Sequence, residues 1–401
     1  MNEQYDIVIV GGGVAGLIAT LSFGTAGFSV LCVDPTAAIT SAEAEGADLR
    51  TTAFLQPARR LLERSGVWSR IAPHGAELRH MHIVDAGGAA GTARTIKDFD
   101  SADVSNNPFG WNFPNWLLRR ELIAALEHTD SVTLRTGVGL ADILTRQAEA
   151  RITLSDATHA SARLVIAADG RNSPTRSALG IDVKTTRYGQ KALAFAVTHP
   201  IPHHNVSTEI HRSGGPFTLV PLPDHEAMPC SGVVWMENGP EVLRLADLNE
   251  TEFATAMTER SCGLFGPLSA ISKRSVWPII TQRATRLTAE RVALIAEAAP
   301  VVPPIGAPGL NTSLAEIALL LDLAEANPDA IGAPAMLAQY EKTRQADIRT
   351  RIAGIDLLNR ASRLSAPPLR DLRALGLEAI HSAKPLRMAL MRLGLGTGKT
   401  D

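Results

Sequence analysis

The 401-residue chain is short of cysteine, of net charge and of long apolar runs, and each shortage excludes a class of protein. Cys32, Cys230 and Cys262 are too few and too far apart for a disulfide framework or a metal-binding pair. A reducing compartment is the expected setting. A net charge of −2 gives no whole-chain attraction to nucleic acid. No apolar run approaches the roughly 20 residues of a membrane span. The opening MNEQYD is polar, holds acids and lacks a basic n-region, so no signal peptide is expected. There is no internal repeat. What remains, 45% hydrophobic and 20% charged residues, is the composition of an ordinary globular protein. The length suits two domains, or one large domain with an insertion.

The richest stretch is residues 6–34, DIVIVGGGVAGLIATLSFGTAGFSVLCVD. Residues 6–10 form a short β-branched run of the kind buried in parallel sheets. Gly11, Gly13 and Gly16 follow at G-x-G-x-x-G spacing, with Ala15 among them. The first glycine permits a tight turn, the second a close approach to a pyrophosphate, and the third close packing of helix on strand. A helix opening here directs free N–H groups and its positive end at phosphates. Residues 29–33 read as the next strand, and Asp34 closes it at the place of an acid for a ribose hydroxyl. Gly-rich turns also occur in unrelated α/β proteins, but the complete strand–turn–helix–strand context favours a dinucleotide.

Further along, residues 36–49 read as a loop, 55–66 as an amphipathic helix and 79–85 as a strand. Residues 87–110 are rich in Gly, Asn and Asp and read as an excursion. A second amphipathic helix is expected over 117–127, then strands over 132–135, 150–154 and 162–168. Residues 190–222 alternate apolar and polar side chains, punctuated by Pro and Gly, which predicts antiparallel sheet, with 233–236 in the same sheet. Parallel and helical character returns at Arg291, and from Leu310 the pattern is helical, broken at Asn327-Pro328 and Pro367-Pro368.

Two later stretches carry chemistry. Residues 164–176, LVIAADGRNSPTR, run a strand into Asp169-Gly170, followed by Ser173 and Arg176. Asp-Gly is also an ordinary turn pair. Residues 291–316, RVALIAEAAPVVPPIGAPGLNTSLAE, give a strand, then Glu297, the Pro303-Pro304 pair, Gly306, and Gly309-Leu310-Asn311 at the start of a helix. That helix start can offer backbone N–H groups to an anionic ring edge.

The three stretches, in this order, resemble the flavoprotein aromatic hydroxylases of the para-hydroxybenzoate hydroxylase type, and most of all the branch that hydroxylates ubiquinone precursors. The resemblance covers nearly the whole chain. Asp48-Leu49-Arg50-Thr51-Thr52-Ala53 with LLERSGVW at 61–68, Asn115-Trp116-Leu117-Leu118-Arg119, and Tyr188-Gly189-Gln190 resemble three lesser segments of that family. The fold it implies is α/β: an FAD-binding Rossmann-like domain (residues 1–82, 112–184 and 288–360) interrupted by a mainly antiparallel substrate domain (83–111 and 185–287). C-terminal helices (361–401) complete it. The resemblance implies FAD held by Gly11, Gly13, Ala15, Gly16, Asp34, Arg50, Arg119, Asp169, Gly170, Glu297, Gly306, Gly309, Leu310 and Asn311. Pro304 is expected to shape the loop over the flavin face, and the Leu310 and Asn311 N–H groups to stabilise charge at its N1/C2 edge. No second dinucleotide motif is present, which suits NAD(P)H as a transient co-substrate. The implied reaction is ring hydroxylation of a polyprenylated phenol with O₂ through a flavin C4a-hydroperoxide.

The third stretch departs from the family's G-D-A-A-H and P-x-x-G-Q-G: here stand Ala296-Glu297, Pro300 and Pro308, with Glu316 in place of a frequent Asp. Two other readings stay open: a hydroxylase of a small soluble phenol and, motivated by Pro300 and Pro308, a non-catalytic flavoprotein scaffold in a ubiquinone biosynthetic complex. No phenol base stands out. His199, His203, His204 and His211 fall in the antiparallel region and read more readily as loop or surface residues; His203-His204 has no metal-ligand spacing. Residues 361–401 hold seven Lys/Arg against three Asp/Glu, interspersed with leucines. This tail suits either a helical cap or a contact with an anionic bilayer. The expected location is the cytoplasm, with a peripheral contact on the inner face of the membrane as the alternative. Related enzymes are often dimers or parts of larger assemblies.

Overall fold

The sequence's first apolar run becomes strand Asn2–Val10, whose Ile7, Val8 and Ile9 are fully buried. The computed structural model describes residues 2–37, 39–86, 92–212, 214–362 and 381–395. Within it Asn2–Val10 lies inside an eight-stranded sheet, between parallel neighbours His159–Ala167 and Val30–Asp34. Val292–Leu294 extends the parallel set on one side and Val132–Thr136 on the other. Strands covered on both faces need near-continuous apolar runs, and these have them. Helix Val14–Thr25 packs against the sheet, with helices Asn115–Leu126 and Pro308–Ala326 beside it. The closeness of that packing requires glycine. A Cβ on Gly16 would lie 1.8 Å from the Gly11 carbonyl oxygen, and Gly11 itself has φ +112° with the Ala168 carbonyl against it.

Strand Leu140–Thr145 has no counterpart in the sequence reading; it is partly exposed along its length, so its apolar residues give little periodic signal.

The second sheet has nine strands among the described residues. Val183–Thr198, Met228–Asn238, Pro216–His225 and Ser275–Ala284 are antiparallel to their neighbours, as the alternation predicted. Strand Val206–His211 joins Pro216–His225 antiparallel and His80–Asp85 parallel. Residues 87–110, read as an excursion, in fact contain strand Thr95–Asp100, a hairpin partner of His80–Asp85. One face of this sheet packs Leu193, Phe195, Phe217, Val233 and Trp235 on Val242, Leu245, Phe253 and Met257. The last four come from helices Gly239–Asp247 and Glu250–Arg260, which the sequence reading missed. Both are short and directly follow strand alternation, so their 3.6-residue period has little room to show.

The opposite face turns toward the first sheet. Ile305 packs there with Ala192, Met236 and Ile279, and a Cβ on Gly232 would stand 2.9 Å from Thr51 Oγ1. A three-stranded sheet, Thr51–Leu55, Gly110–Pro114 and Ala76–Leu78, lies between the two larger ones. Its buried Asn112 donates to the Pro221 carbonyl at 2.9 Å.

Helix Pro334–Ser362 returns across both halves: Tyr340 donates to the Leu294 carbonyl at 2.7 Å, and Asn359 to Gln190 Oε1 at 3.1 Å. Helix Lys384–Leu395 docks on the Thr95–Asp100 hairpin through Arg387–Asp103 (2.8 Å) and an edge-on contact of His381 with Phe99. Pro367-Pro368 and the rest of the basic tail lie outside the described residues.

Gly16→Ala should destabilise the protein by about 1–3 kcal/mol, because its Cβ meets backbone rather than a yielding side chain. Urea denaturation measures it, and a loss within about 0.5 kcal/mol, the usual range of a surface change, would contradict the close approach.

Candidate active site

The glycine turn is held open from behind. Asp34 Oδ2 accepts from the Gly12 N–H at 2.6 Å, and Oδ1 accepts from the Thr36 N–H at 2.8 Å and from its hydroxyl. A carboxylate has about four acceptor positions, so one remains for a hydroxyl. Gly13 is the N-cap of helix Val14–Thr25 with no side chain capping it. A Cβ there would meet nothing within 4 Å, and the first-turn N–H groups have no capping side chain. Ala15 is buried behind them.

Two other predicted residues present polar atoms that are buried and unpartnered: Arg119 Nε and Asp169 Oδ1. Such atoms are rare in folded proteins and call for a ligand or water. Asp169 Oδ2 is held by the Thr175 N–H at 2.9 Å, which fixes the carboxylate, and Gly170 turns away with φ +81°. Arg176 ties this stretch to the third one: its Nη1 donates to the Ala298 carbonyl and its Nη2 to the Arg171 carbonyl, both at 2.9 Å.

In the third stretch Glu297 alone is exposed between Val292 and Pro300. It sits on a short turn, Ala296–Ala298, whose first residue has φ +54°. Glu316 Oε2 accepts from the Ala296 N–H at 2.8 Å and so fixes that turn. Glu316 is fully buried, and burial pushes its carboxyl up to about 7 against the opposing pull of Arg344. Beyond the turn, Pro303 is buried while Pro304, Gly306 and Gly309 are exposed. The two proline departures from the family pattern are both accommodated. Pro308 is the first residue of helix Pro308–Ala326, where a missing N–H loses nothing. Pro300 lies on the outermost strand of its sheet, where proline is tolerated.

Helix Pro308–Ala326 also lacks a capping side chain, leaving the Gly309 and Leu310 N–H groups without intrahelical partners. The Asn311 side chain has a role the sequence did not disclose. Its Nδ2 donates to the carbonyls of Ala53 (2.7 Å) and Ala307 (2.8 Å), and its Oδ1 accepts from the Leu55 N–H (2.9 Å). It is a strut between the helix start and strand Thr51–Leu55. A cavity of about 430 Å³ lies between that helix and helix Gln56–Arg64, with Leu55, Leu61, Asn311 and Leu314 in its lining.

Arg50 enters from the other side. Asp48 binds its Nε and Nη2 at 2.8 Å each, and Asn115 Nδ2 holds Asp48 Oδ2 at 2.9 Å. Burial opposes the guanidinium charge, but Asp48, with a further contribution from Glu297, outweighs it and raises Arg50 above its ordinary range. Trp277 lies over the guanidinium with its ring centroid 4.2 Å away. This tryptophan was not singled out in the sequence; its only signal is an aromatic among exposed apolar neighbours at the end of a strand. Among the histidines, His199 is a core residue rather than a loop or surface one. It is 1% exposed, with Nδ1 on the Ile201 carbonyl and Nε2 on Ser231 Oγ. His203 Nε2 pairs with the Leu222 carbonyl. His204 is exposed, and His211 pairs with Glu209.

The cradles over Gly13 and Gly309, the two unsatisfied buried atoms and the two uncapped helix starts fit the phosphates, ribityl chain and ring edge of FAD. Gly13→Ser should leave stability within about 0.5 kcal/mol, since serine is a good N-cap, yet weaken FAD binding by filling the open space, as read by flavin titration of the apoprotein. For Glu316, the folded chain keeps a proton that the unfolded chain, with an ordinary value of 4.5, has released. This group's contribution to stability is therefore present below the unfolded value and lost as pH rises toward 7. Glu316→Gln should gain about 2–3 kcal/mol relative to the parent between pH 4.5 and 7.5 in paired urea titrations.

Comparison with known proteins agrees with this arrangement. The FAD binding domain family matches residues 4–352. Ubiquinone hydroxylase UbiL of Rhodospirillum rubrum is 30% identical over 99% of this chain and 91% of its own. The 3-demethoxyubiquinol 3-hydroxylase of Escherichia coli is 25% identical over 98% and 99%, and the mouse ubiquinone biosynthesis monooxygenase COQ6 is 25% identical over 97% and 90%. The crystal structure of p-nitrophenol 4-monooxygenase PnpA from Pseudomonas putida superposes with a TM-score of 0.80 over the full length of both chains, at 17% identity. The chain belongs to the FAD-binding monooxygenase family that includes the ubiquinone hydroxylases.

Proposed function

We propose that this protein hydroxylates the aromatic ring of a polyprenylated phenol in ubiquinone biosynthesis, using O₂ and NAD(P)H as a transient reductant. FAD, when bound, accepts the hydride and activates oxygen. The chain's own part is to hold it through the three stretches, to stabilise charge at the ring edge with the Leu310 and Asn311 N–H groups, and to keep water from the reacting ring. In this reading residues 1–82, 112–184 and 288–360 bind FAD, while 83–111 and 185–287 cover the substrate.

The observation that carries the reading is the sheet face opposite the loop of Pro304 and Ile305. The pairing register lays Ser275, Ala194, Val234 and Thr218 in one row across it, and Trp277, Ala192, Met236 and Pro216 in the next. Ala196, Gly232 and Val220 form a third. None of these side chains is ionisable. A wall of this kind suits a ring with a hydrocarbon chain better than a small phenol that must be clamped by its own charge. Helix Lys384–Leu395 supports a membrane contact: it exposes Leu386 (47%) and Leu390 (41%) beside Lys384 and Arg392. Among the described residues no helix is long and apolar enough to cross a bilayer.

The purified protein should bind FAD, and its visible spectrum should bleach under anaerobic NADPH. Aerobic turnover should then be faster with ortho-farnesylphenol in anionic vesicles than with ortho-cresol. Equal turnover of both phenols would favour a small soluble substrate. Absence of flavin binding in excess FAD would favour the scaffold.

A further inference from the structure

Glu209 and His211 stand two apart on strand Val206–His211, so both point to one side of the sheet. The register identifies the side. Glu209 pairs with Thr218, which pairs with Val234; His211 pairs with Pro216 in the row of Met236 and Ala192. This is the face turned to Ile305 and Thr51. The intervening Ile210 instead joins the core on the opposite face. Two strand spacings, about 10 Å, separate Glu209 from Val234. Beyond the pair, Phe99 on the same face carries His381, just ahead of helix Lys384–Leu395.

His211 Nε2 lies 2.9 Å from Glu209 Oε1, and the two side chains are only 15% and 13% exposed. Its Nδ1 is buried and has no partner. A carboxylate at Nε2 holds the proton there and leaves Nδ1 with a free lone pair. Of the neighbouring charges, Asp85, beside His211 on the next strand, pairs with Arg94 at 2.8 Å and Arg212 with Glu259 at 3.4 Å, while Lys97 shares the face of Glu209 beyond Ile83. Arg260 donates to the carbonyls of Ile210 and Gly215, and Glu237 lies against Gly214.

We infer that His211 is the base that takes the proton of the substrate phenol at Nδ1, with Glu209 as its orienting carboxylate. The phenol O–H bond breaks, the Nδ1–H bond forms, and the electron pair stays on oxygen, making the ring a stronger nucleophile. The imidazolium so formed is balanced by Glu209 and returns its proton to the hydroxylated product. This assignment rests on the proposed ring hydroxylation.

The test uses the FAD-loaded enzyme with ortho-farnesylphenol and two readouts. The first is the near-ultraviolet difference spectrum of the bound phenol across pH, which reports its ionisation. The second is product formed per NADPH consumed. The parent enzyme should hold bound phenol as phenolate at pH values where the free phenol is neutral. His211→Gln should lose that signal and about 10²–10⁴-fold in hydroxylation, the usual worth of a general base, while flavin content and anaerobic bleaching by NADPH stay unchanged. Glu209→Gln should lose less, in the same direction. Hydroxylation by His211→Gln with the parent's pH profile and coupling would overturn the assignment and leave the proposed function standing. Should His211→Gln fail to retain flavin, Glu209→Gln and the parent spectrum decide: a bound phenol that stays neutral rules the base out. Bleaching by NADPH with no phenol bound or hydroxylated by the parent would overturn the proposed function and this assignment together.

Discussion

Everything at the site depends on parallel strands that end in register. Val10 is level with Val33 on one side and with Ala167 on the other, and Ala167 is level with Leu294. The residues that follow these four ends are therefore brought to one edge of the sheet: the glycine turn after Val10, Asp34 after Val33, Asp169 soon after Ala167, and the Ala296–Glu297 turn after Leu294. Their separation along the chain, nearly 300 residues, is irrelevant once the ladder is set. The ladder in turn relies on the close seating of helix Val14–Thr25, which only glycine at position 16 allows. This is the general logic of ligand sites at the carboxyl ends of parallel strands, assembled here from three sequence stretches instead of one.

Holding such an edge open without a ligand requires support from behind, and the chain supplies it in buried polar form. Asp34 binds the first turn, Glu316 the third, and Asn311 fastens the uncapped helix to strand Thr51–Leu55. Tyr340 grips the carbonyl of Leu294 at the strand end, one turn of helix away from Arg344, whose charge opposes the burial of Glu316. A buried carboxyl group with one oxygen unpartnered is expensive. Its retention here, beside a left-handed Ala296, fits a turn kept in an unfavourable conformation so that Glu297 faces the groove.

The parallel half of the fold was legible because its signals are local: apolar runs bounded by glycine, and acids at strand ends. Gly11, Gly13, Asp34, Asp169 and Glu297 are all found along that edge for this reason. What the sequence concealed is what depends on pairing between distant strands. Trp277 reaches Arg50 only because strand Ser275–Ala284 crosses from the other sheet, and no motif marks it. His199 reads as a loop or surface residue in the sequence, yet Ser231 from a neighbouring strand encloses it. The basic tail promised an amphipathic surface; its described part does expose Leu386 and Leu390, and only its docking through Arg387 to Asp103 shows which end of the second sheet it covers.

The histidines show most plainly how tertiary context decides chemistry. Four lie between residues 199 and 211, and composition cannot rank them. His199 and His203 have ring nitrogens engaged with backbone carbonyls and Ser231, so neither has a lone pair to spend on a substrate. His204 is exposed on a turn at φ +48°, away from any wall that could exclude water. Only His211 combines a carboxylate on one nitrogen, an unpartnered second nitrogen and a place on the apolar face. An apolar wall by itself would bind a phenol but leave it neutral and sluggish toward an electrophilic oxygen. An ionised clamp would activate a small phenol but desolvate poorly around a hydrocarbon chain. A single buried base at the edge of an apolar strip reconciles the two demands, because the proton it takes from the substrate places a charge that Glu209 already faces at 2.9 Å.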